Sequence, residues 1–360
     1  MRVVLFLVGV LLSLRLSAVP QPVNIDTLAS GLSSPWTVVT LPDGRYLITE
    51  RTGSLVTLHA DGSVHRQQLN LPQLYVAGQG GLLDIALTQD FRLSNKLLLT
   101  YVSGSADANT LVVASATLQE NGELTTPETV FEVTPARATP VHYGGRLAVL
   151  NDGTWLVTSG DGFDYREQAQ ELSSQMGKIL RFREDGEAPA DNPFSEAPYV
   201  YSLGHRNPQA LLVSTQRGEI ISHEHGPDGG DEINLIRAGN NYGWPVVTDG
   251  LDYSGAKISP FSEYAGMTPP AVNWTPSIAP SGMALYQAER FPELTGKLLV
   301  STLKKQRLLA VDLMTSPPKQ MYLFEDIHQR IRDVAVDNNG DILVLTDGKE
   351  ATLLRVTPAR

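Results

Sequence analysis

One short unit recurs along the whole chain: a turn segment with Gly and an alternating or apolar strand. The six copies begin at Asp43, Ser94, Asp152, Arg217, Thr295 and Asn339. Short apolar runs bounded by Gly, Pro, Asn and Asp are typical of strands. Units separated by several tens of residues favour radial blades of about four strands each. The sequence therefore predicts an all-β fold, a six-bladed β-propeller with four-stranded antiparallel blades; the competing β-sandwich needs fewer units than six.

The ends of the chain bear on how such a propeller would close. The strand-like segment "ATLLRV" ends almost at the C-terminus, and propellers often pair a terminal strand with the other end of the chain. The one plausible helix is the segment "EQAQELSSQMGKIL" from Glu167, which ends in a Gly-containing turn. A length of 360 residues fits a single large all-β domain, which we place at residues 19–360.

The N-terminal segment has the order of a secretory signal. Arg2 precedes the apolar run Val3–Leu12, and the small residues Ser17 and Ala18 follow. A membrane anchor is the alternative, but the run is about half of the ~20 residues that a spanning helix needs. We therefore predict a signal peptide at residues 1–18, a periplasmic or secreted protein, and no membrane span in the mature chain.

Composition narrows the classes of function. The formal net charge is −11 and the chain has no cysteine. A phosphate-binding surface usually needs a positive excess, so nucleic acid is not an expected partner. Without cysteine the chain has no thiol nucleophile, disulfide, iron–sulfur cluster or Cys-based zinc site.

Histidines are few enough to weigh one by one. His142 lies in "TPVHYGGRLAVL", directly before two glycines and a strand. Catalytic residues gather on loops held by a rigid scaffold, so His142 is either such a residue or an ordinary loop histidine. His223 and His225 alternate around Glu224; they could bind zinc from one face of a strand, although a structural pair without a third ligand is the commoner case.

Several basic residues stand beside predicted strands. Arg206 and Asn207 occur in "GHRNPQ", Arg330 and Arg332 in "QRIRDVAV", and Lys304 after "KLLVSTL". Each could be a solvated surface charge. Together they could line a pocket for an anionic group, since Arg binds carboxylates with two parallel hydrogen bonds.

The segment "GPDGGDE" from Gly226 concentrates oxygen ligands on a strongly bent backbone. It carries the carboxylates of Asp228, Asp231 and Glu232 among three glycines and a proline. Calcium takes six to eight hard oxygen ligands, backbone carbonyls included. The segment is therefore a candidate oxygen cage for Ca²⁺ or a plain surface loop rich in turn formers.

Seven motifs in a fixed order carry a family resemblance. They are "GQGGLLDIAL", "HYGGRLAV", "GHRNPQAL", "EHGPDGGDEINLIRAGNNYGWP", "APSGMALY", "LLVSTLKK" and "QRIRDVAVDNNGDILVLTD". In this order the chain resembles the soluble PQQ-dependent aldose sugar dehydrogenases of the glucose/sorbosone dehydrogenase family. The resemblance extends from about Leu28 to Val356. Each motif alone is weak evidence, whereas the ordered set is specific.

The resemblance implies a reaction and its cofactors. The chain would oxidise aldose sugars at C1 to lactones, in a cleft on the top face of a six-bladed propeller. Hydride would pass to pyrroloquinoline quinone (PQQ) bound with Ca²⁺, and the electrons would leave to an external acceptor.

The resemblance also assigns residues. His142 matches the general base, Arg206 a second catalytic residue and Asp161 an acid that orients the base. Cofactor contacts are implied for Gln79, Arg206, Asn207, Tyr253, Lys304, Arg330 and Arg332. Calcium ligation is implied for the carbonyls of Gly226 and Pro227 and, at a second site, for Glu232 and Tyr242. Val141 departs from relatives that carry an acid directly before the histidine, which places more weight on Asp161.

Two other classes of protein stay open at this point. A calcium-dependent propeller lactonase would hold a metal in the central tunnel on Glu, Asp and Asn side chains. A non-catalytic propeller that binds sugars or proteins would not need His142.

Overall fold

Six four-stranded antiparallel sheets make up the fold in the computed structural model, which describes residues 22–359. The signal peptide predicted for residues 1–18 lies outside the described residues. The first strand, β1 (Val23–Leu32), pairs with the last strand, β24 (Ala351–Pro358), in antiparallel register from Val23 opposite Pro358 to Leu32 opposite Ala351. The two ends of the chain thus share one blade, so the predicted all-β propeller and its closure are confirmed.

The blades follow one another along the chain. Blade 1 contains β2 (Pro35–Thr40), β3 (Tyr46–Glu50), β4 (Ser54–Leu58) and β5 (Val64–Gln68). Blade 2 contains β6 (Leu82–Leu87), β7 (Lys96–Gly104), β8 (Asn109–Thr117) and β9 (Glu128–Glu132). Blade 3 contains β10 (Leu147–Val149), β11 (Trp155–Ser159), β12 (Lys178–Phe182) and β13 (Val200–Leu203).

The second half of the molecule repeats this plan. Blade 4 contains β14 (Pro208–Ser214), β15 (Glu219–Glu224), β16 (Asp231–Ile236) and β17 (Val272–Trp274). Blade 5 contains β18 (Pro280–Leu285), β19 (Leu298–Thr302), β20 (Leu308–Asp312) and β21 (Lys319–Leu323). Blade 6 contains β22 (Ile331–Val336), β23 (Ile342–Thr346) and the pair β24 and β1.

The six repeated sequence units form one kind of hairpin. Each supplies the turn between the first and second strands of a blade, from the β2–β3 turn of blade 1 to the β22–β23 turn of blade 6. Gly44 and Gly153 adopt φ angles of 88° and 82° there, and Asn95 takes the equivalent turn of blade 2 with φ of 55°. Residues other than Gly and Asn rarely enter this region, which explains the recurring residue types.

Burial follows the position of a strand within its blade. Every residue of the second strands β3, β11, β19 and β23 is buried. These strands lie between neighbouring blades and are covered on both faces, so they read as apolar runs rather than as alternating patterns. The outer strand β5 alternates between exposed and half-buried side chains, because one of its faces meets solvent.

The helix predicted from Glu167 is wrong. Only a short 3₁₀ turn, Arg166–Ala169, forms there, and the end of the segment enters β12. Lys178 is buried and its ammonium group donates to the carbonyls of Gln168, Ala169 and Met176. These bonds satisfy the carbonyls in an irregular backbone, so a helix is not required.

Helical structure in the described chain is sparse. It comprises α1 (Phe91–Ser94) and 3₁₀ turns at Arg166–Ala169, Pro292–Leu294 and Glu325–Ile327. Within residues 22–359, no helix reaches the length and apolar character of a membrane span.

The six inner strands surround a central channel with a cavity of about 470 Å³. Arg146 crosses this channel, and its guanidinium donates to Asp84 at 3.2 Å and to Asp333 at 3.1 Å. It also donates to the Thr37 hydroxyl and the Gln209 carbonyl. These partners belong to blades 1, 2, 4 and 6, so one side chain from blade 3 links most of the ring.

Candidate active site

His142 occupies the loop between β9 and β10 in an uncommon backbone conformation, with φ of 56°. Its N–H donates to Gln79 Oε1 at 2.8 Å, and its carbonyl accepts from Arg137 Nη1 at 2.9 Å. Gly144 follows so close to β11 that a Cβ there would lie 2.7 Å from the Thr158 carbonyl oxygen. The backbone of His142 is therefore fixed from both sides, and strain held in this way is typical of functional sites.

The His142 side chain forms a buried pair with Asp161. His142 Nδ1 and Asp161 Oδ1 lie 2.7 Å apart. The other carboxylate oxygen of Asp161 accepts from Trp244 Nε1 at 2.7 Å, and Oδ1 also accepts from the Phe163 N–H at 2.8 Å. With three donors around it, the carboxylate is fixed in one orientation.

The electrostatics of the pair leave a proton acceptor. Burial alone would raise the pKa of Asp161, but the hydrogen bond and charge of His142, and the charge of Arg206, lower that pKa below its ordinary value. Burial lowers the pKa of His142; Asp161 opposes this, and Arg206 and Arg137 add to it. An ionised Asp161 only accepts hydrogen bonds, so Nδ1 carries the imidazole proton and Nε2 keeps the lone pair.

Arg206 and Asn207 lie beside this pair, between β13 and β14. Arg206 Nη1 donates to the Gly226 carbonyl at 2.7 Å, and the guanidinium stands 5.2 Å from the Trp244 ring centre. Asn207 is buried; its Oδ1 accepts from the Gln209 amide at 3.1 Å, while its Nδ2 has no hydrogen-bond partner among the described residues. A buried amide donor without a partner is costly and suggests an acceptor that binds from outside the chain.

Two cavities flank His142. The first, of about 410 Å³, has Gln79, Tyr143 and Gly144 in its wall and is strongly basic. Its charged lining side chains are Arg51, Arg330, Arg332, Lys349 and Asp347. We call this the basic cavity.

The second cavity is smaller, about 280 Å³, and more acidic. It is lined by Asp161, Phe163, Asp164, Arg166, Glu167, Arg206, Pro227, Trp244, Asp252, Tyr253 and Ile258. We call this the acidic cavity. His142 lies between the two cavities and is hydrogen-bonded to one residue of each wall, since its N–H donates to Gln79 of the basic cavity and its ring pairs with Asp161 of the acidic cavity.

Arg330 and Arg332 meet as their alternating spacing predicts. Both pair with Asp347, through Oδ2 at 2.9 Å for Arg330 and Oδ1 at 2.9 Å for Arg332. Burial alone would raise the pKa of Asp347, but the two arginines lower it. The shared carboxylate fixes two guanidinium groups on one wall and leaves the cavity with a positive excess.

Four of the seven residues implied as cofactor contacts lie outside the wall of the basic cavity: Arg206 and Tyr253 line the acidic cavity, and Asn207 and Lys304 line neither. Lys304 is exposed, and its neighbour Leu303 lines the cavity instead. Tyr253 lines the acidic cavity, with its hydroxyl 3.4 Å from Arg206 Nη2.

The loop from Gly226 packs directly against Arg206. The Gly226 carbonyl accepts from Arg206, and Pro227 forms part of the acidic cavity. Among residues 22–359, no three or more His, Cys, Asp and Glu side chains converge as a metal site, which applies to the His223–His225 pair as well.

Glu232 and Tyr242 occupy a separate polar cluster. Glu232 lies opposite Glu224 in the β15–β16 register and accepts from Asn234 Nδ2 at 2.8 Å. Burial and the neighbouring Glu224 raise the pKa of Glu232 well above its usual value. Tyr242 stacks on His205, with ring centres 4.9 Å apart, and its hydroxyl donates to the Leu235 carbonyl.

Several residues of the site were missed by the sequence analysis. They are Arg51, Arg137, Phe163, Trp244, Asp347 and Lys349. Arg137 and Arg51 carried a weak signal, since each is a charged residue directly beside a predicted strand or loop of the site. Trp244 stands in the motif that ends in "NNYGWP" but without an assigned role, and Phe163 carried no signal, because their ring contacts join loops far apart in the sequence.

The chain belongs to the glucose/sorbosone dehydrogenase family, whose sequence model matches residues 32–355. Among individual relatives, the aldose sugar dehydrogenase YliI of Escherichia coli is 36% identical over 360 residues, with 96% of each chain covered. The apo-form structure of the soluble aldose sugar dehydrogenase from Escherichia coli has a TM-score of 0.89 and 35% identity, covering 94% of this chain and 100% of that one.

A third comparison concerns a structure that contains a cofactor. The PQQ-bound form of an aldose sugar dehydrogenase from Streptomyces coelicolor has a TM-score of 0.73 and 28% identity, covering 94% of this chain and 99% of that one. The family resemblance drawn from the seven motifs is thus confirmed.

Proposed function

We propose that this chain is an exported quinoprotein that oxidises aldose sugars at C1 to lactones, using PQQ and Ca²⁺ and passing electrons to an external acceptor. The observation that carries the proposal is the His142–Asp161 pair between a basic and an acidic cavity. An oriented imidazole with a free lone pair, set between a place for an anion and a place for a sugar, suits proton abstraction from a hydroxyl group. The PQQ-bound relative and the family membership support the cofactor and the substrate class.

The residues around the basic cavity fit an acidic, planar cofactor. PQQ carries carboxylates, and Arg330, Arg332, Arg51 and Lys349 supply cationic donors against the single acid Asp347. The unpartnered amide of Asn207 adds a neutral donor beside His142. Gln79 on the wall of the basic cavity and Arg206 on the wall of the acidic cavity are further candidate contacts. Tyr253 reaches Arg206 from the acidic side, and Lys304 stands outside the cavity wall.

The residues fit calcium in two places. The carbonyls of Gly226 and Pro227 supply two oxygen ligands, so a calcium ion there would need further oxygens from the cofactor and water. At the second place, Glu232 and Glu224 put two carboxylates side by side, and the buried Asn234 Oδ1 has no partner among the described residues. A hard cation would relieve the repulsion of that pair, with Tyr242 packed alongside.

The chain's own groups then perform the proton chemistry. The anomeric hydroxyl gives its proton to His142 Nε2, C1 loses its hydrogen with the bonding electron pair, and the C1–O bond becomes the lactone carbonyl. Asp161 stabilises the imidazolium that forms. Arg206 presents a fixed positive charge beside the reacting groups. When bound, PQQ supplies the two-electron acceptor and Ca²⁺ a Lewis acid.

The central channel argues against the lactonase alternative. A lactonase of the kind considered would hold its metal in the tunnel on acidic side chains. Here the tunnel carboxylates Asp84 and Asp333 pair with Arg146, which occupies the place that a cation would take. A non-catalytic sugar-binding propeller is tested by the turnover measurement below.

The test is reconstitution of the full mature protein. We expect dye reduction that requires PQQ, Ca²⁺ and an aldose together. Arg330→Gln should weaken PQQ binding about tenfold because it removes one cationic donor from the cavity wall. Arg307→Gln is the matched control, since Arg307 pairs with Glu325 away from the cavity. Failure of the wild-type protein to bind PQQ would overturn the proposal.

A further inference from the structure

Two aromatic side chains are exposed at the mouth of the acidic cavity. Phe163 is 43% exposed and Tyr253 is 65% exposed. Their rings lie nearly parallel, with an interplanar angle of 19° and centres 6.2 Å apart. Grouped apolar surface that stays exposed in a cavity is a common mark of a binding site.

Phe163 is held in place at a cost in backbone strain. Its φ is 67°, a region that bulky residues rarely enter. Its N–H donates to Asp161 Oδ1 at 2.8 Å, so the base-orienting acid also fixes the Phe163 backbone. The Phe163 ring meets the His142 ring edge-on, at 5.2 Å and 79°.

The three rings are arranged outward from the base. His142 is 6% exposed, and exposure rises through Phe163 to Tyr253. The aromatic surface therefore starts at the imidazole and continues into solvent beyond the first ring. This is the arrangement needed by a ligand longer than a single sugar unit.

The rim of the cavity determines the charge that such a ligand can carry. Asp164, Glu167 and Asp252 supply carboxylates. Both cations of the wall are engaged, Arg166 with Glu167 at 3.1 Å and Arg206 with the Gly226 carbonyl at 2.7 Å. Carboxylates accept hydrogen bonds from hydroxyl groups and repel other anions. Aromatic faces carry negative charge density and attract the polarised C–H groups of a pyranose ring.

We infer that Phe163 and Tyr253 form a stacking platform for the second ring of a neutral oligosaccharide whose reducing ring lies at His142. The inference rests on the proposed function for the placement of the reducing end. The platform makes this enzyme prefer neutral disaccharides to monosaccharides, and the carboxylates of the rim exclude sugar acids and sugar phosphates.

The first test compares kcat/KM for maltose, glucose and glucuronate in the protein reconstituted with PQQ and Ca²⁺. Phe163→Leu keeps the backbone N–H that binds Asp161 but removes the aromatic face. It should lower kcat/KM about tenfold more for maltose than for glucose, mainly through KM, because stacking is lost equally in the bound and transition states. Phe163→Tyr should retain the wild-type ratio. Tyr264→Leu is the matched control, because Tyr264, like Tyr253, is an exposed aromatic residue between β16 and β17 but lines a different cavity.

The second test measures binding without turnover. Methyl β-maltoside has no free anomeric hydroxyl and cannot be oxidised at C1, so its Kd reports binding without turnover. We expect Phe163→Leu to raise this Kd about tenfold. Binding that behaves so in a protein that oxidises no aldose would uphold the platform and reject the proposed function.

Two results would contradict the inference while leaving the proposed function intact, one for the stacking and one for the exclusion of anions. One is a maltose-to-glucose ratio that changes less than twofold in Phe163→Leu. The other is glucuronate turnover as efficient as that of glucose.

Discussion

At the scale of single residues, the site depends on how His142 and Asp161 are held. Four groups fix the pair: Gln79 and Arg137 on the His142 backbone, and Trp244 and the Phe163 N–H on the Asp161 carboxylate. Asp161 raises the pKa of His142 while Arg137 and Arg206 lower it. The same contacts therefore set both the position and the basicity of the imidazole.

Asp161→Asn tests the effect of the Asp161 carboxylate, which raises the pKa of His142. Activity of the wild-type protein should fall as pH drops through the pKa of His142, which lies below its ordinary value. Removing the Asp161 charge removes stabilisation of the imidazolium, so the acidic limb should move to lower pH. kcat should fall roughly hundredfold, because the ring loses its orientation. A pH–rate profile checks this, and an acidic limb that moves upward would contradict it.

Arg137→Met tests the effect of the Arg137 guanidinium, which lowers the pKa of His142. The Arg137 side chain is buried, and its Nε and Nη2 have no partner among the described residues. Its guanidinium therefore makes hydrogen bonds only through Nη1, to the carbonyls of His142 and Gly160. Without its positive charge the pKa of His142 rises, and the acidic limb should move to higher pH.

The loss of the bond to His142 should also lower kcat about tenfold, by relaxing the strained backbone. Arg137→Lys keeps the charge and should restore the pH profile of the wild-type protein. Met and Lys variants with the same acidic limb would show that Arg137 does not tune the base.

The sequence predicted part of this site, and the limit has a physical reason. His142, Arg206 and Asn207 stand in motifs next to strands, which the blades hold at one end of the propeller, whereas Asp161 was implied only by the family resemblance. Lys304 and Tyr253 lie away from the basic cavity because loop conformation decides where their side chains point. The stacking of Phe163 on Tyr253 joins two loops from different blades, and no local pattern encodes it.

At the scale of elements, the inner hairpin is the repeated structural unit. Its sequence signal is strong because the turn needs a positive φ and the following strand is covered on both faces. The helix prediction from Glu167 failed because the end of the segment joins β12, from which the buried Lys178 donates back to the carbonyls of Gln168 and Ala169. Local turns with a fixed residue requirement were thus predictable, whereas a tertiary contact was not.

Gly153→Ala tests the hairpin requirement in isolation. A Cβ at Gly153 would meet no atom within 4 Å, so the only cost is its φ of 82°. We expect a loss of about 1 kcal/mol in the free energy of unfolding. Urea unfolding measures it, with Asn95→Gly, which removes strain at the equivalent turn, expected to be neutral or stabilising. A Gly153→Ala variant as stable as the wild-type protein would contradict the strain argument.

At the scale of the whole molecule, the ring is held together by the β1–β24 pairing and by Arg146 in the channel. Arg146 also stands over the Trp36 ring at 4.0 Å. Burial raises the pKa of Asp84, and Arg146 partly offsets that effect. The guanidinium thus lets two buried carboxylates coexist at the centre of the propeller.

Arg146→Ala should lower the free energy of unfolding by about 3–5 kcal/mol at pH 7, because it leaves Asp84 and Asp333 buried without a counter-charge. The folded-state pKa of Asp84 would rise further above its unfolded value. The loss should therefore shrink as pH falls and Asp84 takes up a proton. Urea unfolding at pH 7 and pH 5 tests this, and an equal loss at both values would contradict it.

The central claim is that His142 is the base between a cofactor cavity and a sugar cavity. The most direct test is the turnover of an aldose by His142→Gln in protein reconstituted with PQQ and Ca²⁺, with His59→Gln as a control at a distant turn. The account predicts that His142→Gln binds PQQ with nearly the wild-type Kd while kcat falls by about 10²–10⁴-fold. A His142→Gln protein that binds PQQ and keeps the wild-type kcat would contradict it.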